Sequence, residues 1–168
     1  MQIRRLELGD AAVYRALRLR ALREHPDAFT SSFEEEALRP LADTEKRLAD
    51  SVSEKLWGAF VGGTMAGTVC LSRETRQKSR HKALLLGMYV AAEHSGRGVG
   101  RALMERVLRE ARAWGLELLV LTVTESNRQA CVLYERAGFL PIGVEPDAIR
   151  VNHISFGKRH MYLQLLPS

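Results

Sequence analysis

Cysteine is scarce in this chain of 168 residues: Cys70 and Cys131 are the only two, and neither belongs to a CxxC or a Cys/His cluster. A disulfide framework and a structural zinc site are thereby set aside, and free thiols in a reducing cytoplasm are the expected state. His153 and His160 lack an acidic partner in pattern, so no metal site is expected. No apolar run reaches the roughly 18 residues that a membrane span needs. The opening Met1-Gln2-Ile3-Arg4-Arg5-Leu6-Glu7 lacks the apolar core of a secretory signal. Internal repeats, low-complexity tracts and linkers are also missing, which leaves one domain over residues 1–168.

What is present suits a compact domain. Hydrophobic residues make up 46% of the chain, enough for a real core at this length. The net charge of +5 directs attention to anionic partners. Its densest contribution, Arg73-Glu74-Thr75-Arg76-Gln77-Lys78-Ser79-Arg80-His81-Lys82, has no aromatic residue interleaved for base stacking. We read it as the solvated tip between two strands, and nucleic acid is not the expected partner. An acidic substrate or an anionic cofactor accounts for the basic excess equally well.

Along the chain, Ile3, Leu6 and Leu8 sit in a short strand-like start. Gly9-Asp10 offers a cap for a helix carrying Val13, Leu17 and Ala21, ending near His25-Pro26. Asp27 to Ser32 reads as loop, and Phe33 through Ser51 as a helical region broken at Pro40. Leu56 to Val61 and Thr64 to Leu71 are strands around the turn signal Gly62-Gly63. Ala83 to Ala91 is a strand running straight into a glycine-rich loop. The helix from Gly100 to Trp114 carries Leu103, Val107, Ala111 and Trp114 on one stripe and stops at Gly115. Leu116 to Val123 reads as a strand apolar on nearly every side, as in the middle of a covered sheet. Ser126 and Gln129 have capping-box spacing for a helix that ends at Gly138. Leu140 to Val144 and His160 to Leu166 complete the strands of an α/β domain.

Two segments carry chemistry. In Gly96-Arg97-Gly98-Val99-Gly100-Arg101, a glycine turn opens directly into an amphipathic helix. Missing side chains let a phosphate approach, and the helix start supplies free N–H groups and the positive end of its dipole. Gly96, Gly98 and Gly100, with the amides around Arg97, Val99 and Arg101, fit such a cradle, and both arginines could add charge-assisted contacts. A dinucleotide is disfavoured, because no acidic ribose-binding residue follows in register. In the second segment, Asn127 to Phe139, a side-chain amide starts a helix and Tyr134 follows Asn127 on the same face.

The stretch from Met88 to Phe139 resembles the GCN5-related N-acetyltransferase (GNAT) superfamily. Its phosphate-loop pattern, Arg/Gln-x-x-Gly-x-Gly/Ala, falls on Ser95 to Gly100. Its Asn-x-x-Ala-x-x-Leu-Tyr-x-x-x-Gly-Phe pattern falls on Asn127 to Phe139 at every marked position. Ser95 departs from the first pattern, leaving Arg97 or His94 to supply that phosphate contact. The resemblance implies a single domain whose mixed sheet of six to seven strands is flanked by about four helices. It also implies transfer of an acetyl group from acetyl-CoA to a primary amine, of a small molecule or a protein, by direct attack in a ternary complex. The backbone of Met88, Tyr89 and Val90 would pair with pantetheine, Asn127 would lie beside that arm, and Tyr134 would sit by the thioester sulfur.

The residue chemistry agrees. A phenol stays protonated at neutral pH and can donate to a departing thiolate, so Tyr134 is the candidate general acid; a packing tyrosine is the plainer reading. Cys131 shares that helix, but no histidine stands near it to activate an acyl-cysteine route. Glu125, Glu34, Glu35 and Glu36 are candidate bases, through water. Phe29 to Glu36 reads either as a substrate loop suited to a cationic amine or as a helix-start signal, and Glu145 to Phe156 as the opposite wall. A CoA-binding regulatory module without turnover and a transferase of longer acyl groups are the competing readings. Exposed strand edges leave room for a homodimer.

Overall fold

The computed structural model of the protein describes residues 1–49 and 51–165. Among these, seven strands form one sheet: β1 (Gln2–Arg5), β2 (Glu54–Val61), β3 (Thr64–Arg73), β4 (Lys82–Val90), β5 (Leu118–Thr124), β6 (Leu140–Val151) and β7 (Ile154–Gln164). Their order is β1-β2-β3-β4-β5-β7-β6. Neighbours are antiparallel except β4 and β5, which are parallel and joined by a helical crossover. Five helices accompany the sheet: α1 (Ala11–Glu24), α2 (Phe33–Ala37), α3 (Leu41–Leu48), α4 (Val99–Ala113) and α5 (Arg128–Arg136). The mixed α/β domain is as expected, and the region broken at Pro40 supplies two helices rather than one.

Strand periodicity divides the core. β3 is buried from Met65 through Leu71 because both of its faces are covered. Val69 and Leu71, with Trp57 and Ala59 of β2, pack under Val99, Leu103, Val107 and Ala111 of α4. Cys70, Met65 and Leu56 face the other way, toward Tyr14, Leu17 and Ala21 of α1 and Leu48 of α3. The expected stripe of α1 needs one correction: Val13 is exposed and Tyr14 is buried instead. Tyr14, Leu17 and Ala21 combine the i+3 and i+4 spacings that keep a face turned inward, whereas Val13 lies a residue's rotation away. Asp10 does not cap α1 with its side chain; its carboxylate takes two 2.7 Å bonds from the Arg4 guanidinium and one from the Glu7 amide.

Two irregularities open the middle of the sheet. β4 and β5 share register only from Lys82↔Leu118 to Leu84↔Val120. Beyond Leu84, β4 bulges: Cys70 pairs with Leu86 and Thr68 with Tyr89, leaving Gly87 and Met88 opposite Val69. Gly87 sits at φ +59°, which a side chain would disfavour. β5 is therefore not covered throughout. Leu119, Leu121 and Val123 are buried on one face, while Thr122 is exposed on the other.

The last two strands are longer than expected. β6 continues past Val144 because the register shift between Glu145 and Ile149, with Asp147 at φ +50°, absorbs Pro146 without ending the pairing. β7 begins at Ile154 after a turn through Asn152 and His153; Leu166, where its expected end fell, lies outside the described residues.

Candidate active site

β4 leads into the glycine-rich loop through a 3-10 turn at Ala92–His94. Gly96 and Gly98 take φ of +73° and +79°, Gly98 at the N-cap position of α4, and the space beside both is open. The amides of Gly96 through Arg101 donate no hydrogen bond to any described residue. Unpaired donors at the start of a 15-residue helix make a concentrated anion site. Val99 anchors the turn in the core. Gly100 serves a different purpose, since a Cβ there would meet Leu133 of α5 at 3.3 Å. Arg101 is paired outward with Glu105 at 2.8 Å, while Arg97 is exposed without a hydrogen bond to a described residue. Ser95 accepts a 2.8 Å hydrogen bond from the Gln129 side chain of α5, and His94 Nδ1 is buried without a partner. Residues present on this loop thus fit a pyrophosphate.

A cavity of about 440 Å³ lies in the gap between β4 and β5, roofed by α1 and the α2–α3 segment. Leu85 to Met88 of β4, Thr122 of β5 and Asn127, Ala130 and Tyr134 of α5 line it. Among the three strand residues named from sequence, Met88 reaches the cavity. Tyr89 turns its side chain toward α1 and donates a 2.9 Å hydrogen bond to Glu24, a bond that, after burial, pushes its phenol up to about 12. Val90 packs into the core.

On α5, Asn127 is the N-cap: its Oδ1 accepts from the Ala130 amide at 3.1 Å. The capping box expected from Ser126 and Gln129 is replaced by that bond. Ser126 donates to Asp27, and Gln129 is occupied with Ser95. Tyr134 is buried, edge-on to Phe139 at 6.0 Å between ring centres, and its hydroxyl bonds to no described residue. Burial raises its pKa above the ordinary phenol value, so it holds its proton throughout the neutral range. Cys131 is buried in the core outside the cavity lining, and burial raises its thiol pKa.

Charge in the cavity runs against the expectation of an acidic, amine-seeking wall. Arg15, Arg18, Arg39, Arg47 and Lys158 line it, against Glu36 and Asp43. Of the candidate bases Glu34, Glu35, Glu36 and Glu125, Glu36 reaches the lining. Glu35 closes a capping box with Ser32, so the helix-start signal was real, although Phe29, Thr30 and Ser31 also line the cavity. Asp43 and the five basic residues escaped sequence reading, because they come from separated elements that only the fold brings together. Glu145 to Phe156 does not wall the cavity; Lys158, further along β7, does. Lys158 is buried, donates to Thr30 Oγ1 at 2.5 Å, and burial lowers its pKa. His160 does have an acidic partner, Glu145 at 3.0 Å across the β6–β7 pair.

The pattern of the family described as "Acetyltransferase (GNAT) family" matches residues 18–139. The chain belongs to that family. Mycothiol acetyltransferase from Beutenbergia cavernae is 31% identical over 129 residues, covering 77% of this chain and 41% of that protein. The chain thus spans less than half the length of this curated relative. An acetyltransferase of the GNAT family from Streptococcus pneumoniae superposes with a TM-score of 0.89 at 27% identity, over 98% of both chains. The structure of yncA from Salmonella typhimurium with its cofactor acetyl-CoA superposes at 0.80 and 22% identity, covering 98% of this chain and 93% of that one. No helix among the described residues of this GNAT chain is long and apolar enough to cross a membrane.

Proposed function

We propose that residues 1–168 form an acetyl-CoA-dependent N-acetyltransferase acting on a primary amine. The observation that carries this reading is the run of unpaired amides from Gly96 to Arg101 at the start of α4, on the loop that follows the strand lining the cavity with Tyr134. Family membership and the acetyl-CoA in a structure of the same fold support it. Gly96, Gly98, Val99 and Arg101 would hold the pyrophosphate through their backbone, with Arg97 adding charge. Gln129 would steady the loop through Ser95. The unpaired edge of β4 beyond Leu84 offers backbone groups to pantetheine, and the Asn127 amide faces the same channel. The two buried, free cysteines suit a reducing cytoplasm.

Acetyl-CoA would supply an activated acyl carbon whose sulfur leaves with the bonding electron pair as the amine attacks. Tyr134 donates its hydroxyl proton to that sulfur, and the surplus proton of the new amide nitrogen restores the phenol. The balance is one amide and one thiol from one amine and one thioester. Burial serves this role, since a phenol without a fixed hydrogen-bond partner is free to reorient toward the leaving sulfur. Thiol release measured across a panel of amines, with mass spectrometry of the products, tests the proposal. Acetyl-CoA-dependent appearance of N-acetylated product is expected. Binding of acetyl-CoA with no acetylated amine would overturn it in favour of a regulatory module.

A further inference from the structure

Resting on that reading, we infer that the acceptor carries a carboxylate close to its amine, and that Arg18 is the residue that selects it. Arg18 stands on α1 with its guanidinium 4.6 Å from the centre of the Phe29 ring, half-buried against the cavity. It donates no hydrogen bond to any described residue. The other basic groups around it are committed. Arg15 donates to the carbonyls of Ala37 at 3.1 Å and Arg39 at 2.6 Å, tying α1 to the α2–α3 segment. Arg47 donates to the Tyr14 hydroxyl at 2.9 Å and pairs with Glu54. Lys158 is held by Thr30. Arg39 stays at the exposed rim.

A guanidinium presents five donors in a planar fork that matches a carboxylate in two parallel bonds. Stacking on Phe29 satisfies the face of that fork and leaves its edge bare. Glu36 acts on Arg18 electrostatically but forms no ion pair with it, so the edge is not occupied from within the protein. The Arg18 nitrogens are not sealed from solvent, so a ligand carboxylate can reach them, and the surrounding burial strengthens the bonds it would form. Arg18 and Tyr134 line the same cavity from opposite walls, α1 and α5. A carboxylate held at Arg18 therefore leaves the amine on the Tyr134 side. The cavity is sized for a small molecule rather than a folded partner.

Two sources could supply this chemistry, a free amino acid or an acidic residue next to a peptide's amino terminus. The experiment measures kcat/KM with saturating acetyl-CoA for free L-amino acids, for the matching amino-acid amides, and for short C-terminally amidated peptides with or without Asp in second place. At least one carboxylated acceptor is expected to exceed its neutral match by 10-fold or more. Arg18→Gln is expected to shrink that ratio about 10- to 100-fold, through KM, the range of a lost charged hydrogen bond. Arg18→Lys is expected to restore part of it, and acetyl-CoA affinity serves as the folding control. Preference for the free amino acid or for the Asp peptide identifies the source, and either supports the inference. Equal use of acids and amides, or a ratio unmoved by Arg18→Gln, overturns it while the transferase reading stands. If no amine turns over, that reading fails instead. Calorimetric titration of the amino acids then decides the subsite: binding lost in Arg18→Gln supports it, and no binding to the unaltered protein overturns it.

Discussion

Tyr134 and Gly98 separate the two halves of the proposed chemistry. Tyr134→Phe keeps the ring, its contact with Phe139 and the packing of α5, and removes only the proton donor. Its kcat is expected to fall by roughly 10²-fold with acetyl-CoA affinity nearly unchanged, as read from steady-state kinetics beside equilibrium binding. Gly98→Val acts in the opposite sense. The position lies at φ +79° with open space beside it, so a branched side chain would strain the turn and project where the pyrophosphate is proposed to sit. Loss of acetyl-CoA binding is expected, with far-UV circular dichroism showing the fold retained. Both residues were legible in sequence because each belongs to a local pattern. Ser126 misled for the same reason: its spacing to Gln129 imitates a capping box, while Asn127, one position on, makes the actual cap. Only the placement of Ser95 and Asp27 reveals where Gln129 and Ser126 are spent.

Among the elements, α1 is tied to the loop that precedes the cradle. The Arg20 guanidinium makes two 2.7 Å bonds to Glu93, and that pairing holds the Glu93 carboxyl down at about 2. A folded-state pKa below the ordinary carboxylate value stabilises the protein above that ordinary value, and the contribution is lost as pH falls toward 2. Glu93→Gln is therefore expected to flatten the acid limb of the thermal midpoint between about pH 4.5 and 2, more visibly at low salt. At the start of α5, Asn127→Ala removes a cap worth about 1 kcal/mol, or roughly 2–4 °C in a domain of this size by differential scanning calorimetry. Elements defined by local signals, α4 and the β2–β3 hairpin above all, read correctly from sequence. β6 did not, because Pro146 and Asp147 mimic a strand end, and only pairing with β7 shows that the ladder resumes at Ile149.

At the scale of the molecule, the proposed function depends on a sheet that fails to stay closed. The parting of β4 from β5 beyond Leu84, with the bulge at Gly87, opens the basic cavity beside the strand that leads into the amide cradle. Sequence reading reached the cradle, whose glycines are neighbours in the chain. It missed the character of the acceptor side, which Arg18, Arg39, Arg47 and Lys158 assemble from distant segments. The reading of a cationic-amine site from Glu34 to Glu36 drew on local charge, and the fold outweighs it with residues remote in sequence. The central claim is that the Gly96–Arg101 amides hold acetyl-CoA. Thermal unfolding of the purified protein, alone and with acetyl-CoA, CoA or NADH, tests it most directly. At 100 times Kd a specific ligand adds about 2.7 kcal/mol, a rise of roughly 5–10 °C here. The account predicts that rise with acetyl-CoA and CoA and none with NADH; an unmoved midpoint, or an equal rise with NADH, would contradict it.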